Sequence, residues 1–268
     1  MIKCKRFLQY LFLIVASILS IFPLVWMAIS ATNKSADVVR GVMVPGGYLL
    51  ENLKSLMAQQ NVWKAMGNSF KYALILTILS LLICSLAGYG FEIYHDKGKD
   101  IVMNIILLAM MVPFAATMIP LFQMFSSANL LNSTLGFVLP TISTPFLIMM
   151  FRQSARSFPH DIMEAARIDG LNELSIFFRM FMPTMKSTYA AAMTITFMNA
   201  WNSYLWPKVI MTDAESITMP MLVANLKAGY TTDYGVLMLA VLMCSVPTMI
   251  IFFLLQKSFA EGITGAVK

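Results

Sequence analysis

Five stretches of this chain contain no charged residue: Phe7 to Asn33, Tyr72 to Phe91, Ile101 to Phe151, Ser187 to Pro207 and Tyr234 to Gln256. A helical membrane crossing takes about 20 apolar residues, so the third stretch, at 51 residues, holds two. Its polar break, Ser126 to Thr134 with Asn129 and Asn132, is the natural hairpin between them. Six helices are therefore predicted, near 7–29, 72–92, 101–125, 135–151, 187–207 and 234–256. Helices are required because lipid offers no partner to an exposed backbone N–H or C=O. The predicted fold is an all-α polytopic membrane protein, one transmembrane domain over residues 1–268.

The first apolar segment has a second reading as a secretory signal, with its basic start at Lys3, Lys5 and Arg6. Its apolar run of about 22 residues exceeds the 7–15 of a signal core, and Pro23 and Trp26 suit an interfacial helix end. Between the first two spans, the loop Thr32 to Lys71 carries Pro45-Gly46-Gly47 and a predicted helix from Glu51 to Ala58.

Composition agrees with this pattern. Charged residues are 12% and hydrophobic residues 59% of the chain, against about 25% and 45–50% in soluble domains. With the N-terminus inside, 12 of the 19 Lys and Arg fall in cytoplasmic segments, the bias expected of short inner loops. Both termini are then cytoplasmic, with a C-terminal tail over 257–268. The net charge of +6 follows from this topology and does not call for nucleic acid. Cys4, Cys84 and Cys244 cannot form an even disulfide framework. The 24 methionines fill gaps between spans, and with no His or Cys cluster beside them no metal site is expected.

Ionisable groups within the membrane usually mark proton relays or ion paths. Here Lys71 and Glu92 stand only at the ends of the second span, so a proton-coupled pump is not expected, and any energy input would come from an external motor. The chain has no G-x-x-x-x-G-K-[S/T] phosphate loop, no H-E-x-x-H and no G-x-S-x-G. It is not expected to be an enzyme or to hold a cofactor. His95 and His160 read as solvated loop residues.

The exception to the apolar pattern is a charged island from Arg152 to Lys186, which holds nine of the chain's 32 charged residues. Pro159 suits the first turn of a helix, with Ser157 near the cap. Asp161 and Glu164 complement the positive end of the helix dipole, and Gly170 can take the left-handed conformation that stops it. Phe158, Ile162 and the pair Ala165-Ala166 recur at helical spacing and give a small apolar face. A second helix is predicted after Asn172, through Phe177 and Phe178, up to Pro183. Such a segment is either a connector lying on the lipid surface or a surface built for a partner.

The run E-A-A-R-I-D-G, Glu164 to Gly170, with Phe177 and Pro183 downstream, resembles the EAA motif of permease subunits in bacterial binding-protein-dependent, ATP-driven importers. The resemblance covers the whole chain and narrows to the MalG-like carbohydrate permeases. It is carried by Pro23-Leu24-Val25-Trp26, Asn68-Ser69, Ile119-Pro120-Leu121, Asn132 to Gly136, Phe197-x-x-x-Trp201-Asn202, Thr218-Met219-Pro220 and the tail from Gln256 to Lys268. Leu171, Met180, Met182 and Ser187 depart from the family's usual residues, and Glu92 stands where an Arg is common.

The resemblance implies an importer permease fold in the bacterial cytoplasmic membrane, forming half of a pore for a sugar or oligosaccharide. The other half would come from a second, homologous permease. Two cytoplasmic ATPases would carry the ATP and Mg2+, and an extracytoplasmic solute-binding protein would deliver the carbohydrate. The helix at 159–169 would be the cytoplasmic coupling helix, with Glu164 and Asp169 in polar contact with an ATPase, Ala165 and Ala166 allowing close seating, and Gly170 permitting the turn. Phe158 and Ile162 would complete that face, and Gln256, Gly262 and Gly265 of the tail would reach the ATPase interface. Asn199, Trp201, Asn202 and Tyr204 are candidates for the substrate path, since aromatic faces stack on sugar rings and amides bond hydroxyls. Two alternatives stand beside that assignment: Trp201, Tyr204 and Trp206 as an outer aromatic belt, or a sugar held mainly by the partner permease. Import of a polyol or glycerol phosphate by the same architecture, or secondary transport, are the competing functions.

Overall fold

The computed structural model of the chain describes residues 2–228 and 231–265, with side chains within 6–257. The first predicted span is helix α1, Ile2–Ser30, and the following loop holds α2, Ser35–Val39, and α3, Leu49–Gln59, the latter close to the predicted helix. The second span is α4, Val62–Ile93, which begins well before residue 72. The third, expected as one rod over 101–125, is broken into α5, Lys97–Ala109, and α6, Phe114–Ser127, whose axes differ by 96°. Pro113 explains the break: it has no N–H to return to the carbonyl four residues back, and it takes an extended ψ of 131°.

Proline also divides the fourth span. Helix α7, Thr134–Val138, runs into a 3-10 turn at Leu139–Thr141, and α8, Pro145–Ala155, follows at 56°. Beyond the charged island, α12, Lys186–Trp201, stops short of the predicted 207, and α13, Leu205–Ile210, follows after the break at Asn202. At 16 residues, α12 measures about 24 Å, less than the ~30 Å hydrocarbon core. Helices α14, Met219–Lys227, and α15, Tyr234–Gly265, complete the chain. Among the described residues, segments of α1, α4 and α15 are long and apolar enough to cross a membrane alone, and counting each bent pair as one span raises the number to five.

The chain falls into two units, Met1–Ala65 with Met219–Pro247, and Met66–Thr218 with Thr248–Lys268. In the first, the loop after α1 is pinned by Asn52, 5% exposed, whose Nδ2 donates to the carbonyls of Ala31 and Asn33, both at 2.9 Å. A Cβ on Gly235 would collide with the Asn33 carbonyl, so the start of α15 lies directly against that loop.

In the second unit, Asn132 has a left-handed φ of 55° and organises the turn that follows α13. Its Oδ1 accepts from the Thr212 and Asp213 amides at 2.7 and 3.0 Å and from Ser216 Oγ at 2.9 Å. Asn68 Nδ2 donates to the carbonyls of Glu215 and Ile217 at the same end of the unit. Toward the other end of α4, Gly88 sets the separation from α8: a Cβ there would lie 2.7 Å from the Arg152 nitrogen and 2.9 Å from the Ile148 carbonyl oxygen. Gly90, two residues on, has open space. Gly88→Ala is therefore expected to cost about 1–3 kcal/mol by forcing two helices apart, while Gly90→Ala is neutral or slightly stabilising. Thermal unfolding of the two purified variants checks this contrast.

Candidate coupling surface and solute cavity

The charged island folds as two short helices over an aromatic floor. Helix α9, His160–Ile168, is preceded by Pro159 as its N-cap, and Asp161 lies in its first turn. Ser157 does not cap it; its Oγ donates to the Ser154 carbonyl at 2.7 Å and closes the end of α8 instead. At the other end Gly170 has φ +81°. Its N–H donates to the Arg167 carbonyl and that of Leu171 to Ala166, both at 3.0 Å. These are the paired bonds of a Schellman stop, and Leu171 packs back on the apolar cluster below.

That cluster corrects the predicted apolar face. Phe158, Met163 and Ala166 are 2–4% exposed and pack with Tyr89 of α4 and with Phe177 and Phe181. Ala166 and Phe158 therefore build the support beneath the helix and cannot seat a partner, because both are already enclosed by aromatic side chains. Tyr89 meets Phe181 edge-on at 4.9 Å and Phe177 at 5.4 Å, and its hydroxyl reaches Met163 Sδ at 3.8 Å. The outward face carries Ile162 at 42% and Ile168 at 86% exposure, with Glu164, Ala165 and Asp169 also exposed. Sequence spacing passed over Ile168, which stands out as the x before Asp in E-A-A-x-x-D-G.

Helix α10, Glu173–Ile176, starts as predicted after Asn172, whose Oδ1 accepts from the Ser175 amide at 2.8 Å. It continues as a π-turn, Phe177–Phe181, into α11, Met182–Thr184. The wide turn accommodates Pro183, whose missing N–H would otherwise break a regular ladder. Arg167 Nε donates to Glu173 Oε1 at 2.8 Å, tying α9 to α10. The guanidinium holds the Glu173 carboxyl below its usual range. The pair is thus intact above the ordinary carboxylate pKa and is lost only on stronger acidification.

A charge network at the same end of this unit was not anticipated. Arg152, 8% exposed, donates from Nε to Glu92 at 3.1 Å and from Nη2 to Asp100 at 2.6 Å. Arg156 reaches the same Glu92 oxygen at 3.4 Å, and His95 Nε2 bonds Asp100 at 2.9 Å. Asp96 caps α5 through the Lys99 amide and also pairs with the Lys99 ammonium. The ends of α4, α5 and α8 are thereby joined just beside the aromatic floor. Glu92, unusual for the family pattern noted above, is the carboxylate that two arginines share.

The substrate-path residues separate. Trp201 is 1% exposed and stacks on Phe197 at 5.9 Å. Trp206 is 3% exposed, donates from Nε1 to the Gly136 carbonyl at 2.9 Å and meets Phe125 edge-on. Neither tryptophan belongs to an outer belt or offers a ring to solvent, because both are committed to packing between helices. Tyr204 and Asn202 are both exposed at the break after α12. Asn199 alone of the four lines a cavity of about 380 Å3, together with Thr144, Phe146, Phe137, Thr196 and Trp206 among others. At the C-terminus, the helix runs on past the predicted end at 256: Gln256, Gly262 and Gly265 all lie in α15, and residues 266–268 of the tail lie outside the described residues. Gln256 Nε2 donates to the Phe253 carbonyl within that helix.

This arrangement has known relatives. The chain is 44% identical over 260 residues to the lactose transport system permease protein LacG of Rhizobium radiobacter, covering 97% of this chain and 95% of LacG. It is 32% identical over 256 residues to the arabinooligosaccharides transport system permease protein AraQ of Halalkalibacterium halodurans, covering 93% and 92%. In fold it matches a chain from the crystal structure of a bacterial ABC transporter involved in the import of the acidic polysaccharide alginate, at a TM-score of 0.82 and 21% identity over 95% and 96% of the two chains. The family pattern of the binding-protein-dependent transport system inner membrane component spans residues 80–265, from the middle of α4 through the island and cavity to the end of α15. The chain belongs to that family of membrane transport permeases.

Proposed function

We propose that this chain is one of two permease subunits of an ATP-driven importer for neutral oligosaccharides in a bacterial cytoplasmic membrane, with both termini in the cytoplasm. The observation that carries the coupling role is the outward face of α9, where Ile162 and Ile168 are exposed on a helix whose inner face is fixed to the aromatic floor. Ile162, Ala165 and Ile168 seat in a cleft on an ATPase, and Glu164 and Asp169 make polar contacts around them. A load applied there by closure of the ATPase dimer passes through Met163 and Phe181 to Tyr89 and so to α4. ATP and the loaded binding protein then favour the same global state of the pore. ATP and Mg2+ reside on the ATPases, and no chemical step falls to this chain. Near full-length likeness to permeases named for lactose and arabinooligosaccharides supports a sugar. The lining of the cavity contains no charged residue, which disfavours an anionic solute such as glycerol phosphate.

Purification of the complex in mild detergent tests this directly. The expected result is co-purification of a second permease and an ATPase whose hydrolysis rises with sugar-loaded binding protein. Recovery of the chain alone, moving solute in vesicles without ATP, would sink the proposal.

A further inference from the structure

The charged island exposes a second apolar ridge that α9 does not account for. Leu174 is 62% and Phe178 46% exposed. Four residues apart, they stand on one side of α10 and of the π-turn that continues it. Ile176, Phe177 and Phe181 of the same stretch are buried in the aromatic floor, so the opposite side is fixed and this one is left over. Phe178 meets Phe177 edge-on at 5.0 Å, which holds its ring in place while much of it stays open.

The ridge adjoins the free face of α9. Arg167 and Glu173 are bonded across the turn between the two helices, and Ile168 and Leu174 are the residues that follow them. The two most exposed large apolar side chains of the island, at 86% and 62%, therefore flank one ion pair. Exposed apolar groups gathered inside a polar rim mark a surface that another molecule covers.

Charge and reach both favour protein over lipid as that cover. Over 159–185 four carboxylates stand against two arginines, and Asp161, Glu164 and Asp169 are exposed with no ion-pair partner among the described residues. The cytoplasmic leaflet is anionic and attracts basic segments, so it repels an acidic one. The path from Leu174 to Lys186, at the start of the charge-free span, is helical except at Met185 and covers about 18 Å. Headgroups occupy only ~5–8 Å on each side of the bilayer, so the ridge can stand beyond them.

Resting on the ATP-driven importer reading, we infer that Leu174 and Phe178 form a second contact with the ATPase, which grips α10 as well as α9 across the Arg167–Glu173 bridge. The matching surface is an apolar groove rimmed by cations or amide donors, continuous with the cleft that takes Ile162 and Ile168. Two points of hold resist rotation of α9 in its cleft, which one point cannot.

The test uses the whole importer in its native membrane, tagged on this chain. A photo-crosslinking amino acid placed at 174 or 178 is expected to give adducts with the ATPase. Leu174→Ser and Phe178→Ser are each expected to lower the ATPase retained on purification about tenfold, the loss of one anchoring side chain. The amount of second permease and the melting temperature stay near the unaltered values, since both positions are exposed. Adducts with lipid or with the second permease in place of the ATPase would overturn the second contact. So would full ATPase retention in both serine variants when Ile168→Ser loses it, an outcome that leaves the α9 seat intact. Loss of the second permease and of thermal stability along with the ATPase would reduce the ridge to a packing role. Full retention in all three variants, or no ATPase on the unaltered complex, would overturn the coupling reading as well.

Discussion

Replacing Gly170 with valine is expected to abolish solute uptake while the protein still inserts in the membrane and can be purified. Gly170 sits at φ +81° with no atom within 4 Å of where a Cβ would stand. The substitution therefore meets no clash; its cost is wholly in the backbone, about 1–3 kcal/mol for a left-handed non-glycine residue, and greatest for a β-branched one. That cost is local to the stop of α9, where the Gly170 and Leu171 amides close on Arg167 and Ala166. Unwinding the stop frees Leu171 and turns Ile168 and Asp169 away from the face they share. Because backbone conformation decides, Gly170→Asn should retain more uptake than Gly170→Ala, and Gly170→Ala more than Gly170→Val, although asparagine is larger than alanine. Uptake in cells, normalised to the amount of protein in the membrane, checks the order; an order that follows side-chain size would contradict it.

The largest loss of stability is expected from Arg152→Met. Arg152 is nearly buried and, among the described residues, is the one bonded to both Glu92 and Asp100. Removing one partner of a buried pair costs about 3–5 kcal/mol, mostly because the other charge is left without compensation. Glu92 retains only the longer contact to the exposed Arg156, and Asp100 retains His95. Melting of the detergent-solubilised protein should fall on the order of 10 °C. The paired change Arg152→Met with Glu92→Gln should recover part of that loss, since the stranded carboxylate is gone. No recovery would mean that the guanidinium acts through packing alone.

How far these features could be read beforehand depended on their range along the chain. Helix α9, its stop at Gly170 and the new start after Asn172 were legible because caps and stops are set by residues one to three positions away. The apolar face was read wrongly at Phe158 and Ala166, since helical spacing groups apolar residues on one side without saying which of them meet the chain's own interior and which stay open to a partner; the floor that decides comes from Tyr89, Phe177 and Phe181. Hydropathy located the apolar stretches but treated Ile101 to Phe125 as one rod, although Pro113 was present to signal the 96° break. The Arg152 network was out of reach because its carboxylates lie 52 and 60 positions earlier. The burial of Trp201 was likewise hidden, for an aromatic ring near a helix end looks the same in sequence whether it meets lipid or a neighbouring phenyl ring.

The division of α9 into an anchored side and a free side separates two kinds of change. Met163 and Ala166 answer to the permease's own interior, whereas Ile162, Ala165 and Ile168 are exposed and stand outside the aromatic cluster that holds the island together. Mutations on the free side are therefore expected to carry little folding penalty, and under the proposed coupling role they would act on the choice of motor. If the proposed coupling role holds, a transporter lineage could in this way exchange its engine while keeping its cargo path by editing a single exposed turn and a half of helix.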